Sequence, residues 1–206
     1  MILNYFDPNC TALLIIDIQN DFCHQSGFFA RTGKNIKHMQ GILPKVRDLV
    51  NGARRAGVKI IFIKSYFDEK YLSPSMKVRK MYLGRTEDVC PEGGWGSEFT
   101  LMPEGGDLII IKNAYSAFIG TSLEQRLRQE GIKSLAITGV LTNVCCESTL
   151  RDGFMSGFNT VLIEDCCASD SIDAHNATLY NITNYFGWVT NSNPLLTFWL
   201  GNQKID

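Results

Sequence analysis

Apolar residues along the chain fall into short runs rich in β-branched side chains, separated by longer stretches in which they recur every three or four positions. The runs predict strands at about 12–17, 58–64, 107–112, 134–139, 159–163 and 187–190. The periodic stretches predict helices at about 36–56, 121–130, 143–157 and 173–185. Strand alternating with helix implies βαβ units and a parallel α/β sheet covered on both faces. The runs Ala12 to Ile16 and Leu108 to Ile111 contain no polar residue, as expected of strands buried on both sides. Gly57 and Gly131 stand where left-handed helix caps are expected. Ser65 to Pro103 fits neither period. It carries Pro74, Pro91, Pro103 and the Gly93-Gly94-Trp95-Gly96 turn, and reads as an excursion that walls a pocket or meets another subunit.

Three strand ends carry chemistry. The first buried run stops at Asp17, the third at Lys112, and the fourth is broken by Gly139 and leads into Thr142-Asn143-Val144-Cys145. Carboxyl ends of strands in an open α/β sheet share one edge, where ligands bind, so these residues can meet in one crevice. Thr142 or Asn143 can cap a helix whose first turn holds Cys145, where free N–H groups and the helix dipole favour a thiolate and can hold an oxyanion. Taken singly, each has a plainer reading. Asp17 can be a turn-forming carboxylate, Lys112 a solvated strand-end charge, and Cys145 and Cys146 small apolar residues of a packed helix.

Together the motifs Asp17-x-Gln19-x-Asp21-Phe22, the strand-end Lys112, and Thr142-Asn143-Val144-Cys145 resemble those of the isochorismatase-like cysteine hydrolase superfamily. The resemblance spans nearly the whole chain. Within it, TNVCCESTLRDGF, KNAYSAF, Gly93 to Trp95 and NITNYFGWV are most similar to ureidoacrylate amidohydrolases. It implies a doubly wound, Rossmann-like sheet of order 3-2-1-4-5-6 in one three-layer domain over residues 1–206. It also implies a triad of Asp17, Lys112 and Cys145, an oxyanion hole at the backbone of Cys145 and the Leu141–Thr142 region, and a cis peptide between Leu141 and Thr142. The expected reaction is hydrolysis of a C–N bond in a small ureido, carbamoyl or carboxamide substrate through a cysteine thioester. A nicotinamidase, an isochorismatase-type hydrolase acting on a vinyl ether, and a non-catalytic binding member are the alternatives.

Composition narrows the setting. The 206 residues are 45% hydrophobic, enough for one substantial core, and the net charge of −1 leaves no footprint for nucleic acid or an anionic membrane. No apolar run approaches the roughly 20 residues of a membrane span. The seven cysteines match no disulfide framework or zinc ribbon, so the expected location is cytoplasmic, with the thiols reduced. A homo-oligomer, dimer or tetramer, is the expected assembly. The cluster Lys77, Arg79, Lys80, Arg85 reads as a solvated face or as a contact for an anionic substrate or a second subunit.

Phe22, Tyr115, Ser65 and Phe67 are the candidate substrate contacts, although ureidoacrylate amidohydrolases carry asparagine and tryptophan where Ser65 and Phe67 stand. Glu147 and Arg151, spaced i and i+4, read as a helix-surface ion pair. No cofactor is expected and no metal. Related nicotinamidases hold a divalent ion with D-x-H after the second strand, where this chain reads KSYFDEKY, and His24, His38 and His175 have no metal-ligand spacing. His24, just past Phe22, is the competing candidate for the base that serves Cys145.

Overall fold

The computed structural model describes residues 2–201, so Met1 and residues 202–206 of the expected domain lie outside the described residues. In chain order the elements are β1 (Thr11–Ile16), α1 (Asn20–Cys23), α2 (Phe28–Arg31), α3 (Lys37–Arg55), β2 (Lys59–Ser65), α4 (Pro74–Tyr82) and β3 (Leu108–Lys112). Then follow α5 (Leu123–Gln129), β4 (Ser134–Val140), α6 (Glu147–Met155), β5 (Asn159–Ala168), α7 (Ile172–Asn181), β6 (Trp188–Thr190) and α8 (Ser192–Gly201). Every strand pairs in parallel, in the order β3-β2-β1-β4-β5-β6.

Two apolar clusters sandwich the sheet. On one face Met39, Ile42, Val46, Leu49, Val50 and Ala53 of α3 recur at helical spacing and pack with Leu195 and Trp199 of α8. The other face is covered from α5 and α6 by Leu123, Leu127 and Leu150, with Ile182 beyond α7. The predicted caps are in place, with Gly57 and Gly131 both in the left-handed region. All seven cysteines are free. Among the described residues no helix is long and apolar enough to cross a membrane.

Three expectations need correction. β3 is not buried on both faces: Ile109 and Ile111 are 45% and 47% exposed, because β3 is an edge strand and only its alternate residues face the core. Helix α4 lies inside the segment that showed no periodicity, and none of its residues is buried. Helix α8 follows β6 with no predicted counterpart, and the Asp165 carboxylate of β5 holds its start by accepting from the Ser192 N–H and hydroxyl, each at 2.8 Å.

The chain winds outward from β1 in one direction and from β4 in the other. β1 and β4 are therefore neighbours whose connections leave in opposite senses, the arrangement that opens a crevice at their carboxyl ends. Gly139, paired with Ile16, has φ +123°, and a Cβ there would collide with the Ile16 carbonyl. Only glycine lets the two strands approach so closely at this edge.

Candidate active site

β1 ends at Ile16, and Asp17 turns out of the sheet with φ +55°. This left-handed conformation is uncommon for a non-glycine residue and is held from both sides. The Asp17 N–H donates to the Ile63 carbonyl at 3.1 Å, and the Asp17 carbonyl accepts from the Gln19 N–H at 2.8 Å. Ser65 and Lys112 are register partners at the ends of β2 and β3. The Lys112 ammonium donates to Asp17 Oδ2 at 2.8 Å, to Ser65 Oγ at 2.8 Å and to the Ala114 carbonyl at 3.0 Å, while the Ser65 hydroxyl donates to Asp17 Oδ1 at 2.9 Å. Asp17, Ser65 and Lys112 are all 0% exposed. Burial opposes the Lys112 charge, but the Asp17 carboxylate, through its charge and its hydrogen bond, outweighs it together with the Cys145 sulfur and holds the Lys112 pKa above the ordinary lysine value.

Gln19 and Asp21 of the first motif have structural work that the sequence did not reveal. The Gln19 amide donates to the Ser65 and Ser97 carbonyls at 3.0 and 2.9 Å and accepts from the Ser65 N–H at 2.8 Å, tying β2 to the excursion. Asp21 accepts from the Phe28 N–H at 3.0 Å and the Cys90 N–H at 2.7 Å. Gly96 lies so close that a Cβ there would overlap the Asp21 carboxylate.

Cys145 sits in a single wide helical turn, Thr142–Cys146, that precedes α6. The Leu141 carbonyl accepts from the Val144 and Cys146 N–H groups at 3.1 and 3.2 Å. Among the described residues no backbone bond joins the Cys145 N–H to that carbonyl. Wide turns of this kind recur at functional sites. Neither expected cap forms: the Thr142 hydroxyl meets His175 Nδ1 at 2.9 Å, and Asn143 Oδ1 accepts from the Ser169 hydroxyl at 2.7 Å. The cis peptide lies between Val140 and Leu141, one bond earlier than the resemblance implies.

The thiolate expectation is also corrected. Burial pushes the Cys145 thiol well above its ordinary value, Lys112 partly opposes this, and the Asp17 charge adds to the rise. Burial and the Asp17 charge together outweigh Lys112, so the resting sulfur is a thiol beside a carboxylate.

Cys145 lines a cavity of about 230 Å³. Its floor includes Phe22, Phe29, Phe67, Val140, Leu141 and Val144, and its outer wall comes from the excursion, including Leu72, Met76, Arg79 and Leu83. The excursion is therefore a pocket wall. Of the predicted substrate contacts, Phe22, Phe67 and Tyr115 line the cavity. Phe67 stacks edge-on to Tyr115, with centroids 6.2 Å apart, and the Lys112 ammonium lies 5.3 Å from its ring centre. Ser65 does not line it. Its hydroxyl is committed to bridging Asp17 and Lys112, so its expected substrate contact is replaced by a role inside the ion pair. Thr142 is 0% exposed and also lies off the cavity, whereas Leu141 lines it. His24 is not placed to serve Cys145: it lies edge-on to Trp95, accepts from the Ser26 N–H at 3.1 Å and is absent from the cavity wall. Glu147 and Arg151 do pair, and Glu147 additionally accepts from the Thr178 hydroxyl at 2.6 Å, which ties α6 to α7.

Residues 11–194 match the family model described as the isochorismatase domain. Ureidoacrylate amidohydrolase RutB from Acinetobacter baylyi is 30% identical over 213 residues, covering 96% of this chain and 87% of that protein. RutB from an Enterobacter species is 35% identical over 200 residues, covering 90% of this chain and 87% of its own. The crystal structure of a cysteine hydrolase from Pseudomonas syringae pv. phaseolicola superposes with a TM-score of 0.82 over 95% of this chain and 94% of that one, at 24% identity, a likeness of fold.

Proposed function

The chain belongs to the isochorismatase-domain family, and on that premise we propose that it is a cysteine amidohydrolase that cleaves a small ureido, carbamoyl or carboxamide C–N bond without a metal, with a ureidoacrylate-like compound as substrate. The observation that carries this reading is the fully buried Asp17–Ser65–Lys112 cluster, set beside Cys145, the one cysteine among the described residues that lines the cavity of about 230 Å³.

The chemistry follows from the protonation states. Cys145 starts as a thiol, so its proton must leave as the sulfur attacks, and Asp17 is the acceptor. Lys112 faces the Asp17 carboxylate at 2.8 Å where both are fully buried, and its charge offsets the negative charge that develops on the substrate. The oxyanion is assigned to the Cys145 N–H and, because Leu141 rather than Thr142 faces the cavity, to the Leu141 N–H; one such donor is typically worth about 3 kcal/mol. The tetrahedral species collapses by breaking the C–N bond, with the proton from Asp17 going to the leaving ammonia or amine. Asp17 then removes a proton from water as it attacks the thioester, a thiocarbamate where the substrate is a ureide; the C–S bond breaks, and Asp17 returns that proton to the sulfur to restore the thiol. A cavity of this volume suits a metabolite and excludes a folded peptide. RutB relatives named for ureidoacrylate support that substrate, though Ser65 and Phe67 depart from the subfamily's residues at those positions.

The metal-free reading is supported by where the carboxylates after β2 are used. Asp68 accepts from the Glu92 N–H at 2.9 Å and Glu69 lies 3.4 Å from Lys80, and among the described residues no three histidines, cysteines or carboxylates converge on a metal position. The test is ammonia release from a panel of ureidoacrylate, other ureido acids, biuret, nicotinamide and carbamoyl amino acids, with and without EDTA. Turnover of ureido acids that survives chelation is expected. Activity confined to nicotinamide, lost on chelation and recovered with Zn²⁺ or Fe²⁺, would overturn both the substrate class and the metal independence.

A further inference from the structure

Five charged side chains line the cavity: Lys34, Arg79, Lys80, Arg85 and Glu87. Three of them have partners. Lys34 pairs with Asp170, Lys80 with Asp88 at 2.6 Å and Glu69 at 3.4 Å, and Glu87 with Arg31 at 3.0 Å. Arg79 and Arg85 have no carboxylate partner among the described residues. The cavity wall therefore carries two uncompensated guanidinium groups, on the side contributed by the excursion, above an otherwise apolar floor.

Local structure explains why both face the same space. Ser73 caps α4 by accepting from the Met76 N–H at 3.3 Å, and Pro74 occupies the first turn, where its missing N–H costs nothing. Met76, Arg79, Lys80 and Leu83 then fall at three- and four-residue spacing and line the cavity, while Val78, Met81 and Tyr82 are 65%, 77% and 82% exposed. At the far end Gly84 has φ +62°, its N–H donates to the Met81 carbonyl at 2.9 Å, and the Arg85 N–H donates back to the Lys80 carbonyl at 3.1 Å. This double bond pattern is a Schellman close, which folds residue 85 back over the last helical turn. Arg85 is thereby returned to the wall that Arg79 already occupies.

We infer that Arg79 and Arg85 form a carboxylate-binding subsite at the outer wall of the cavity, so that the substrate is a small anion gripped there while its scissile carbonyl lies at Cys145. The assignment rests on the amidohydrolase reading for what happens at the sulfur, and on the charge inventory of the wall for the anion. A guanidinium presents a planar fork that matches a carboxylate in two parallel hydrogen bonds, and it stays charged at any working pH. Apart from the Tyr115 hydroxyl, the lining between the two ends is apolar, and the remaining charged side chains of the wall are already paired, so the charged end and the carbonyl end of a substrate are told apart by the site. The arginines bind and orient; they have no part in bond breaking.

The test uses 3-ureidoacrylate and its methyl ester, which differ in the negative charge. Binding is measured by calorimetry on the Cys145→Ala protein, where no turnover can occur, and again with Arg79→Ala or Arg85→Ala added. The carboxylate is expected to bind at least about tenfold more tightly than the ester, the scale of one charge-assisted hydrogen bond. Each arginine removal should cost the carboxylate at least about fivefold more than it costs the ester, with Arg→Lys recovering part and added salt weakening the carboxylate alone. Equal binding of acid and ester, equal losses on both, or no detectable binding of the acid would overturn the subsite. Both arginines are exposed, so the variants are expected to fold. Ammonia release by the unsubstituted protein is scored separately. Charge-selective binding without ammonia release would sink the amidohydrolase reading and leave the subsite standing, and ammonia release without charge selectivity would do the reverse.

Discussion

A lysine and an aspartate that are both inaccessible to solvent constrain each other's replacement. Lys112→Ala leaves the Asp17 carboxylate with the Ser65 hydroxyl alone, and stranding one member of a buried pair costs about 3–5 kcal/mol. Either single variant, Asp17→Asn or Lys112→Ala, is therefore expected to lower both kcat, by at least about a hundredfold, and the melting temperature. The double variant Asp17→Asn/Lys112→Met, which leaves no stranded charge, should recover much of the stability and none of the activity. Calorimetry alongside steady-state kinetics separates the two effects, and full activity in a soluble single variant would remove that residue from the mechanism. Cys145→Ser should abolish turnover, while Cys146→Ala, whose parent side chain is buried in the core on the other side of the turn, should retain most of it. The reverse pattern would reassign the nucleophile. At this scale the triad was legible because each member ends or follows a strand run. The roles of Ser65, Gln19 and Asp21 were not, since they depend on contacts between residues 46 to 78 positions apart. The thiol's protonation was not legible for a related reason: proximity to a helix start can be read from sequence, whereas burial of the sulfur cannot.

Elements with a long, regular apolar period announced themselves; α4, which buries nothing, did not, and neither did α8, although it buries Leu195 and Trp199. β1, β2, β4 and α3 follow their apolar periods closely, whereas α4 buries nothing and so has no period to find; its only sequence signals are the Ser73-Pro74 start and the Gly84 stop. The two wide turns, at Thr142–Cys146 and Ile182–Phe186, read from sequence as continuations of ordinary helices. The excursion that contains α4 is pinned to the sheet edge by Asp21, through the Cys90 N–H at its far end, and by Gln19 through Ser97. Asp21→Ala should free that wall without touching the nucleophile. The expected result is a rise in KM of roughly tenfold with a smaller fall in kcat, the signature of lost substrate positioning. Gly96→Ala attacks the same carboxylate from the opposite side by overlap, so it should give the same kinetic pattern. If the two variants differ in kind, or if kcat falls while KM holds, the wall is not what Asp21 supports.

For the molecule as a whole, the buried thiols set how stability depends on alkali. Burial holds Cys23 up to about 12, against an ordinary value of 9.0, and raises Cys90, Cys145, Cys146 and Cys166 as well. The odd cysteine count and absence of a disulfide pattern were readable from sequence, and the free thiols agree. Their burial on both faces of one sheet was not readable, because it follows from how the strands are ordered. The sign of the effect is fixed by proton counts. Above pH 9 the unfolded chain loses thiol protons that the folded chain keeps, so the unfolded state binds fewer protons and stability falls as pH rises. Each such thiol contributes a slope of up to about 1.4 kcal/mol per pH unit until its folded value is reached. Lys112 acts in the same direction above its ordinary 10.5, since its folded value is also raised. Well below pH 9 the stability these groups contribute is fully present and does not change with pH. Urea unfolding under reducing conditions should therefore give a midpoint that these groups leave flat from pH 7.5 to about 8.5 and that drops steeply by pH 10. Cys23→Ala should lower the plateau, because it opens a small cavity, and should make the alkaline drop shallower by one thiol's share. A midpoint that rises between pH 9 and 10, or a Cys23→Ala protein with an unchanged slope, would contradict the thiols as its source.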